Sequence, residues 1–502
     1  MRTRPLRTPL LLLPIGLASL AVAALMLGVR VARAEPLAAT RYVSATGGGS
    51  GCSSFIPCQL QTAIANSANG DTIVVRGGTY TGSGPAVISI TKSITLLAGW
   101  NGSAVGELVI DPTNYPTTLD GENARRVVGI TGNVTPTLDG FIITRGNATG
   151  LITGCTQSSA KGCGGGVFIQ DAHARIYNNV FISNTALMTA TSYGQGAGGG
   201  LYASQASYTV ISGNVFLSNV ATLVYQGIGG ALALDGGLTV TVRYNTFTGN
   251  SSAQWGGAVS LGDDGYAQVS DNVFTNNTAP SGAALYTWYS YPTISRNTFT
   301  GNSGESAVYI GYASGQLNSN RVLNNATSTG VELTNGWTGG LVRLVNNIVV
   351  NSGADVVSAF AHDEGPLFVQ LVHNTLVGVD GANGVHVASG YVTMTLTNTL
   401  ISGVDTGIRR EFPLSHTVTA NRTLFDTNVG AHGSAIENSS LNGAALLTVD
   451  GTIGPGSAAE NAALWVGVLV DFQGDVRPQG GTADIGADEI AIRRLYLPNT
   501  TR

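Results

Sequence analysis

The chain has 502 residues, with 24 Lys+Arg against 29 Asp+Glu, a formal net charge of -5 and only 11% charged residues, where ordinary globular domains carry roughly 25%. Glycine fills 69 positions and asparagine 36, while lysine occurs twice, at Lys92 and Lys161. No basic stripe occurs beyond the first 35 residues, which excludes a nucleic-acid partner, and a hydrophobic fraction of 43% excludes wholesale disorder.

Residues 1–34 read as an export leader. Arg2, Arg4 and Arg7 form a basic start, the stretch from Leu10 to Val29 is apolar and uncharged, and Ala32-Arg33-Ala34 offers a small-x-small cleavage site. An uncleaved anchor is the alternative, because about 20 apolar residues span a bilayer. Pro14 and Gly16 inside the stretch favour removal. The expected protein is extracellular or at the cell surface, with no membrane span after the leader. Four cysteines fall in two close pairs, Cys52 with Cys58 and Cys155 with Cys163. In an exported chain they read as two local disulfides rather than a metal site.

Residues from about 42 to 80 read as an N-terminal cap, with a short amphipathic helix over Gln61 to Asn66 blunting the open end of a β-rich repeat array. The repeat itself is explicit in the spacing of asparagines. Asn179, Asn214, Asn245, Asn272 and Asn297 each stand two residues before a phenylalanine, and Asn320, Asn347, Asn374 and Asn398 two before an aliphatic residue. The steps between them are 35, 31, 27, 25, 23, 27, 27 and 24 residues, and a second asparagine lies five residues on in six consecutive copies, Asn184 to Asn325. Between them a run of small residues leads into Val167, Leu201, Leu232, Val259, Leu285 and Val308. From each of these to the next asparagine is 12 or 13 residues, whereas the return shrinks from 22 through 18, 14 and 13 to 11. One half of each repeat is rigid in length and the other absorbs every insertion.

Short β segments separated by tight corners, stacked coil on coil, explain this pattern. The expected fold is all-β, one right-handed parallel β-helix over residues 35–490, of about 12 or 13 coils and roughly 60 Å long at the strand spacing. Asparagine tolerates the left-handed conformation of a tight corner, and stacked asparagines hydrogen-bond along the column. The phenylalanines are expected inside. A C-terminal cap is expected over about 450–490, around Asp471, Asp475, Arg477, Asp484 and Asp488, and a tail over 491–502.

The Phe-x-x-Asn motifs at Phe181, Phe216, Phe247, Phe274 and Phe299, with Gly-Gly-Ala-Leu at 229–232 and Gly-Gly-Ala-Val at 256–259, resemble the repeats of chlamydial-type polymorphic outer membrane proteins. That resemblance implies surface display and adhesion, although no C-terminal membrane barrel is present in the sequence. The N-terminal Gly70-Asp71-Thr72-Ile73 and Gly78-Thr79-Tyr80, with Leu138-Asp139-Gly140-Phe141, resemble secreted β-helix proteins of the pectin-lyase-like superfamily. The end, Gly474-Asp475-Val476-Arg477-Pro478 to Asp484-Ile485-Gly486-Ala487, is similar to the choice-of-anchor Q domain, which often has Ser-Pro-Ala-Ile-Asp where this chain has Ser457-Ala-Ala-Glu-Asn. These resemblances imply a fold rather than an activity.

Acid–base candidates are sparse. The histidine and Arg-x-Lys motifs of pectin hydrolases are not matched, the nearest histidine being Ala431-His432-Gly433. His362-Asp363-Glu364 is the densest acid–base triplet and reads as a solvated loop. Asp235 and Asp263, with Asp264 beside the latter, fall near the end of one strand in neighbouring coils, which places Asp235 and Asp263 about 5–7 Å apart. Retaining glycosidases need carboxylates ~5–5.5 Å apart, but aspartate is equally a turn residue. No cofactor is implied. Calcium on the Asp475/Asp484/Asp488 set is the single metal reading, against an ion pair with Arg477.

Strand parity supplies a binding face. With Val167 to Val308 pointing inward, Phe168, Tyr202, Ala233, Ser260, Tyr286 and Tyr309 point outward. Two residues on, Asp235, Gly262 and Trp288 share a second outward column. Tyr286, Trp288 and Tyr309 are expected to form one solvent-accessible patch with Asp235 at its edge and Tyr202 nearby, suited to a polysaccharide or cell-surface glycan. Covering loops are the alternative. The functional expectation is a monomeric exported glycan-binding or adhesion protein. A polysaccharide lyase, hydrolase or epimerase on the same fold is the alternative.

Overall fold

The computed structural model describes residues 38–490 apart from 152–154, 156–159, 189–194, 225, 237–238, 264, 313, 336–338, 352, 362–364 and 412–415. The expected leader and tail, and the candidates Asp264 and His362, lie outside the described residues. After the first strand, Thr40–Val43, comes the helix α1, Leu60–Asn66. Its Leu60, Ala63 and Ile64 have a one-sided helical spacing and are buried in the main core. Lys92, one of the two lysines, donates from Nζ to the carbonyls of Ile64, Ala65 and Ser67 at 3.1, 2.8 and 2.6 Å. A cation there satisfies the orphan acceptors of the helix C-terminus.

All strand pairs from Thr40–Val43 to Leu441–Asn442 are parallel, and the coils present three faces. Face 1 is a sheet of fifteen strands running from Thr40–Val43 to Ile436–Asn438. Face 2 holds the phenylalanine strands such as Val180–Ile182, and face 3 holds strands such as Leu201–Ser204. The pairings trace about thirteen complete coils. Inside them Phe181, Phe216, Phe247, Phe274 and Phe299 form one fully buried stack, with centroids 4.4, 4.9, 4.8 and 4.7 Å apart. Val322, Val349, Leu376, Ile401 and Phe425 continue the column. His432 stacks on Phe425 at 4.0 Å and ends it.

Two asparagine ladders run beside this stack. In the first, each backbone N–H and each Nδ2 donates to Oδ1 of the asparagine one coil on, unbroken from Asn179 through Asn214, Asn245, Asn272, Asn297, Asn320 and Asn347 to Asn374. Nδ2 also donates backwards to a carbonyl of the preceding coil, as Asn245 does to Ile211 at 2.9 Å. The second ladder links Asn184, Asn219, Asn250, Asn277, Asn302 and Asn325.

Two expectations need correction here. The ladder asparagines do not take the left-handed conformation. The residue before each one does, as at Asn178, Tyr244, Asp271 and Arg296 with φ of 52°, 56°, 57° and 54°. That frees the asparagine side chain to turn inward. Asn398 is itself such a corner residue, with φ 52°, and lies one position out of the ladder, because Thr375 pairs with Leu400 and Leu376 with Ile401. Asn398 instead turns outward and exchanges hydrogen bonds of 2.8 Å with the backbone of Leu464.

Both cysteine pairs are disulfides. The insertions between faces 2 and 3 build a structure not foreseen from the repeat. Ala160–Cys163, Gln195–Ala197 and Gly227–Ile228 form a separate three-stranded parallel sheet. Cys163 and Ala197 from this sheet pack with Phe168, Tyr202 and Ala233 of face 3 in their own apolar cluster.

The segment expected as a C-terminal cap runs along the flank instead of across the end. The corner residues Asn346, His373, Asn398 and Arg422 of successive coils bond to the backbone of Val470, Asp484, Leu464 and Ala462. The last coil keeps exposed strands at Ala431–Gly433 and Ile436–Asn438. Within this flanking segment Arg477 is fully buried and pairs with Glu489 at 3.2 Å, not with an aspartate, and it donates to the carbonyls of Asp484, Gly486 and Asp488. The carboxylates of Asp484 and Asp488 receive backbone N–H groups of Asn461, Ile490 and Ile453. Burial pushes Asp484 up to about 6 and Asp488 up to about 7. These oxygens serve the local fold, and no cluster of metal-ligating side chains occurs among the described residues.

Asn272→Ala removes the acceptor of the Asn245 backbone N–H and one of the acceptors of Asn245 Nδ2, and a buried group left unsatisfied costs about 1–3 kcal/mol. Urea denaturation should register a loss of about 3 kcal/mol, against under about 0.5 kcal/mol for the exposed neighbour change Val273→Ala. Arg477→Met strands Glu489 in the interior, at a cost of about 3–5 kcal/mol. Limited proteolysis should then cut within residues 444–490 while the coils stay resistant.

Candidate functional site

The outward column of face 3 keeps the register expected from parity. Phe168 pairs with Tyr202, Tyr202 with Ala233, Ala233 with Ser260, Ser260 with Tyr286 and Tyr286 with Tyr309. Tyr286 and Tyr309 stack at 4.8 Å. The rings are nevertheless not a solvent-accessible patch. Exposure along the column runs 2%, 0%, 1%, 3%, 5% and 8% from Phe168 to Tyr309. The insertions cover the first rings completely, and the cover thins as the insertions shorten. Burial lifts the Tyr286 phenol far above its ordinary value and Tyr309 to about 12, so both act as neutral hydroxyls.

At the thinning edge of the cover the column changes size. Ala233 and Ser260 are small, and the space their side chains leave is a cavity of about 260 Å³. Tyr202 and Tyr286 close its two ends along the stack. Ala197, Ile228 and Trp255 roof it, Trp255 lying 5.8 Å from Tyr286 in a stacked arrangement. Asp235, Gly262, Asp263 and Trp288 line the remaining side. Asp235 is buried, and its Oδ2 accepts from the Tyr202 hydroxyl at 3.0 Å.

Trp288 stands in register between Gly262 and Gly311. Its ring is 3.9 Å from Tyr312 and 5.2 Å from Tyr289. Tyr289 and Tyr312 occupy the left-handed corner after the strand, with φ of 46° and 50°, where other coils use Asp171, Gln205, Gly236 and Asp263. Just beyond, Tyr266 and Tyr291 stack at 5.3 Å and are about half exposed.

Four of the five residues picked from sequence as glycan-binding, Tyr202, Asp235, Tyr286 and Trp288, therefore line one cavity, and Tyr309 backs it. Asp235 is in register with Gly262, as strand parity placed it, and Asp263 lies one residue further on, at the left-handed corner that Asp171 also occupies. Gln195, Gln226 and Trp255 were missed because they sit on insertions with no repeat register to place them. Also missed was the continuation of the outward column into Glu332, Ser358, His386 and Arg409. There His386 lies 2.9 Å from Asp355 and 3.2 Å from Glu411, and the Asp355 carboxylate holds its pKa above the ordinary value.

Comparison with known proteins bears on the fold. Residues 230–401 match the family described as right handed beta helix region, and no curated protein sequence matches the chain. Similar solved structures include pectate lyase Pel9A (TM-score 0.37, 12% identity, 90% of this chain and 96% of that one). The bacteriophage CBA120 tailspike protein 3 is similar over 76% of this chain and 57% of its own (TM-score 0.36, 12% identity). The PL6 family alginate lyase AlyGC is similar over 82% and 81% (TM-score 0.29, 10% identity). The matched family and the parallel pairing of the coils agree on a right-handed parallel β-helix.

Asp235→Asn keeps the shape of the acceptor for Tyr202 and removes a charge. Tyr202→Phe leaves Asp235 without that donor in a buried setting and should cost about 1–3 kcal/mol, read as a lower melting temperature than for Asp235→Asn.

Proposed function

We propose that this is an exported or cell-surface protein that binds polysaccharide through the cavity walled by Tyr202, Tyr286 and Trp288. The observation that carries the reading is the combination at one place of aromatic ring faces, a buried carboxylate and small floor residues, Ala233 and Ser260. Sugar rings stack on aromatic faces while carboxylates and amides take their hydroxyls. Export is supported by the leader pattern in residues 1–34 and by two disulfides, which persist in oxidising compartments. Among the described residues no helix is long and apolar enough to cross a membrane. The resemblance to polymorphic outer membrane protein repeats and to a choice-of-anchor Q ending fits display at a surface, with the protein acting as a monomer.

A second reading, cleavage of the bound polysaccharide, is favoured by one observation, that Asp235 and Asp263 line the same cavity. In it the two carboxylates share acid and base roles. Asp263→Asn should then abolish release of reducing ends while leaving binding in place. No reducing ends from any polysaccharide that binds would dismiss it.

The binding reading is tested at Trp288, which is only partly buried. Trp288→Ala should weaken glycan affinity by about 1–3 kcal/mol, the range for loss of an aromatic stacking platform, with the melting temperature almost unchanged. A large fall in melting temperature with unaltered affinity would make Trp288 a packing residue and remove the reading.

A further inference from the structure

Further along the outward column of face 3, Glu332, Ser358, His386 and Arg409 follow one another in register. His386 stands on the strand Asn383–Val387, and each of its ring nitrogens meets a carboxylate from a neighbouring coil. Its Nδ1 is 2.9 Å from Oδ2 of Asp355, on the coil before. Its Nε2 is 3.2 Å from Oε1 of Glu411, on the coil after, and is buried without an aligned hydrogen bond. The imidazole is 15% exposed and the Asp355 carboxylate 12%.

A neutral imidazole has one N–H and one lone pair. With the proton on Nδ1, the lone pair of Nε2 points at Glu411. With the proton on Nε2, the lone pair of Nδ1 points at Asp355. Either tautomer buries a lone pair against a carboxylate, which is costly. The imidazolium alone suits both neighbours, and it then ties three coils together. The two carboxylates have further donors in place, since Asp355 Oδ1 accepts from Asn383 Nδ2 at 2.7 Å and Glu411 Oε1 from Arg409 Nη2 at 3.1 Å. Three other sets of charge lie on the elements packed here. Glu332 is two coils back, with burial holding its carboxyl above the ordinary value. Arg410 donates to the carbonyl of His416, and Asp380 and Asp405 are exposed on the turns leading into the two strands. The bridge sits where the side-chain ladders run out. The second asparagine ladder ends at Asn325 and the first at Asn374, so neither reaches the coil that carries Glu411.

We propose that His386 is a proton-operated clasp on the last coils, joining Asp355 to Glu411 as the imidazolium and letting these coils separate when it loses its proton. The Asp355 hydrogen bond, with the charges of Asp355 and Glu411, holds the His386 pKa above its ordinary value, which is about 6.5. A group raised in the folded state stabilises fully below its unfolded pKa, and that contribution is lost as pH rises through the folded one. The clasp is therefore closed below about pH 6.5 and opens on the alkaline side. It stands apart from the cavity and does not depend on glycan binding.

Hydrogen exchange read by mass spectrometry, corrected for the intrinsic rate at each pH, tests this on the purified protein with its disulfides formed. Between about pH 5.5 and about pH 8.5, protection of Asp355–Phe360, Asn383–Val387 and Thr406–Arg410 should fall about tenfold, the change that one unit of pKa elevation produces. The phenylalanine strands from Val180 to Thr300 should keep their protection. His386→Gln is uncharged at both pH values and should change by less than about twofold. It retains Glu332, so an equal fall in this variant would assign the effect to that carboxyl and overturn the clasp. Glu411→Gln lets a neutral ring accept at Nε2. It should bring the His386 pKa, followed by NMR of the ring Cε1 proton, down towards about 6.5 and flatten the protection difference, which decides the matter even if His386→Gln does not fold. Wild-type protection equal at the two pH values, or a His386 ring that titrates at or below about 6.5, would overturn the inference.

Discussion

Everything in this molecule depends on satisfying the backbone where strand pairing stops. Along the three faces each coil bonds to its neighbours, but between faces 1 and 2, and again after face 2, the chain turns and the ladder of N–H to carbonyl bonds would break. Asparagine closes both gaps. Its side-chain oxygen accepts from the asparagine backbone of the coil before, and its nitrogen donates both to the next asparagine and to a carbonyl behind. Each amide thus ties three coils together in a fully buried position. Since such bonds strengthen in low dielectric and polarise one another, the ladders set the coil spacing that the phenylalanine stack and the face 3 columns inherit.

The stack explains the columns of face 3 in turn. Because the strands of face 3 are held in strict register, any residue type repeated at one position becomes a column, and any departure becomes a feature. Tyr202 and Tyr286 are two members of an aromatic column, and the replacement of the intervening rings by Ala233 and Ser260 opens the cavity between them. The same logic turns the column ionic three coils later, at Glu332, His386 and Arg409, where burial raises the Glu332 carboxyl above its ordinary value. The register therefore carries both an aromatic pocket and a charged stretch on one line of the surface.

The insertions add what the register alone lacks. Long returns between faces 2 and 3 fold back as a small sheet over Phe168 and Tyr202, and shorter returns leave Tyr286 and Trp288 at the margin. The site exists where cover gives way to open strand. The flanking C-terminal segment is a parallel case, since it uses the corner side chains of Asn346, His373, Asn398 and Arg422 as its attachment points. Its identity as a flank rather than a plug leaves the last coil with exposed edges.

The repeat spacing by itself determined the β-helix, the inward phenylalanines and the outward placement of Tyr202, Asp235, Tyr286, Trp288 and Tyr309, because each derives from a period and from strand parity. The same reading put Asn398 in the ladder, since an N-x-L match cannot detect a one-residue slip that only the pairing of Leu376 with Ile401 reveals. Tertiary structure alone decided that the aromatic column is covered, that Trp255 roofs a cavity and that the C-terminal segment lies along the flank. Those outcomes depend on insertions without periodicity, whose path is set by what they pack against and not by any spacing in the chain.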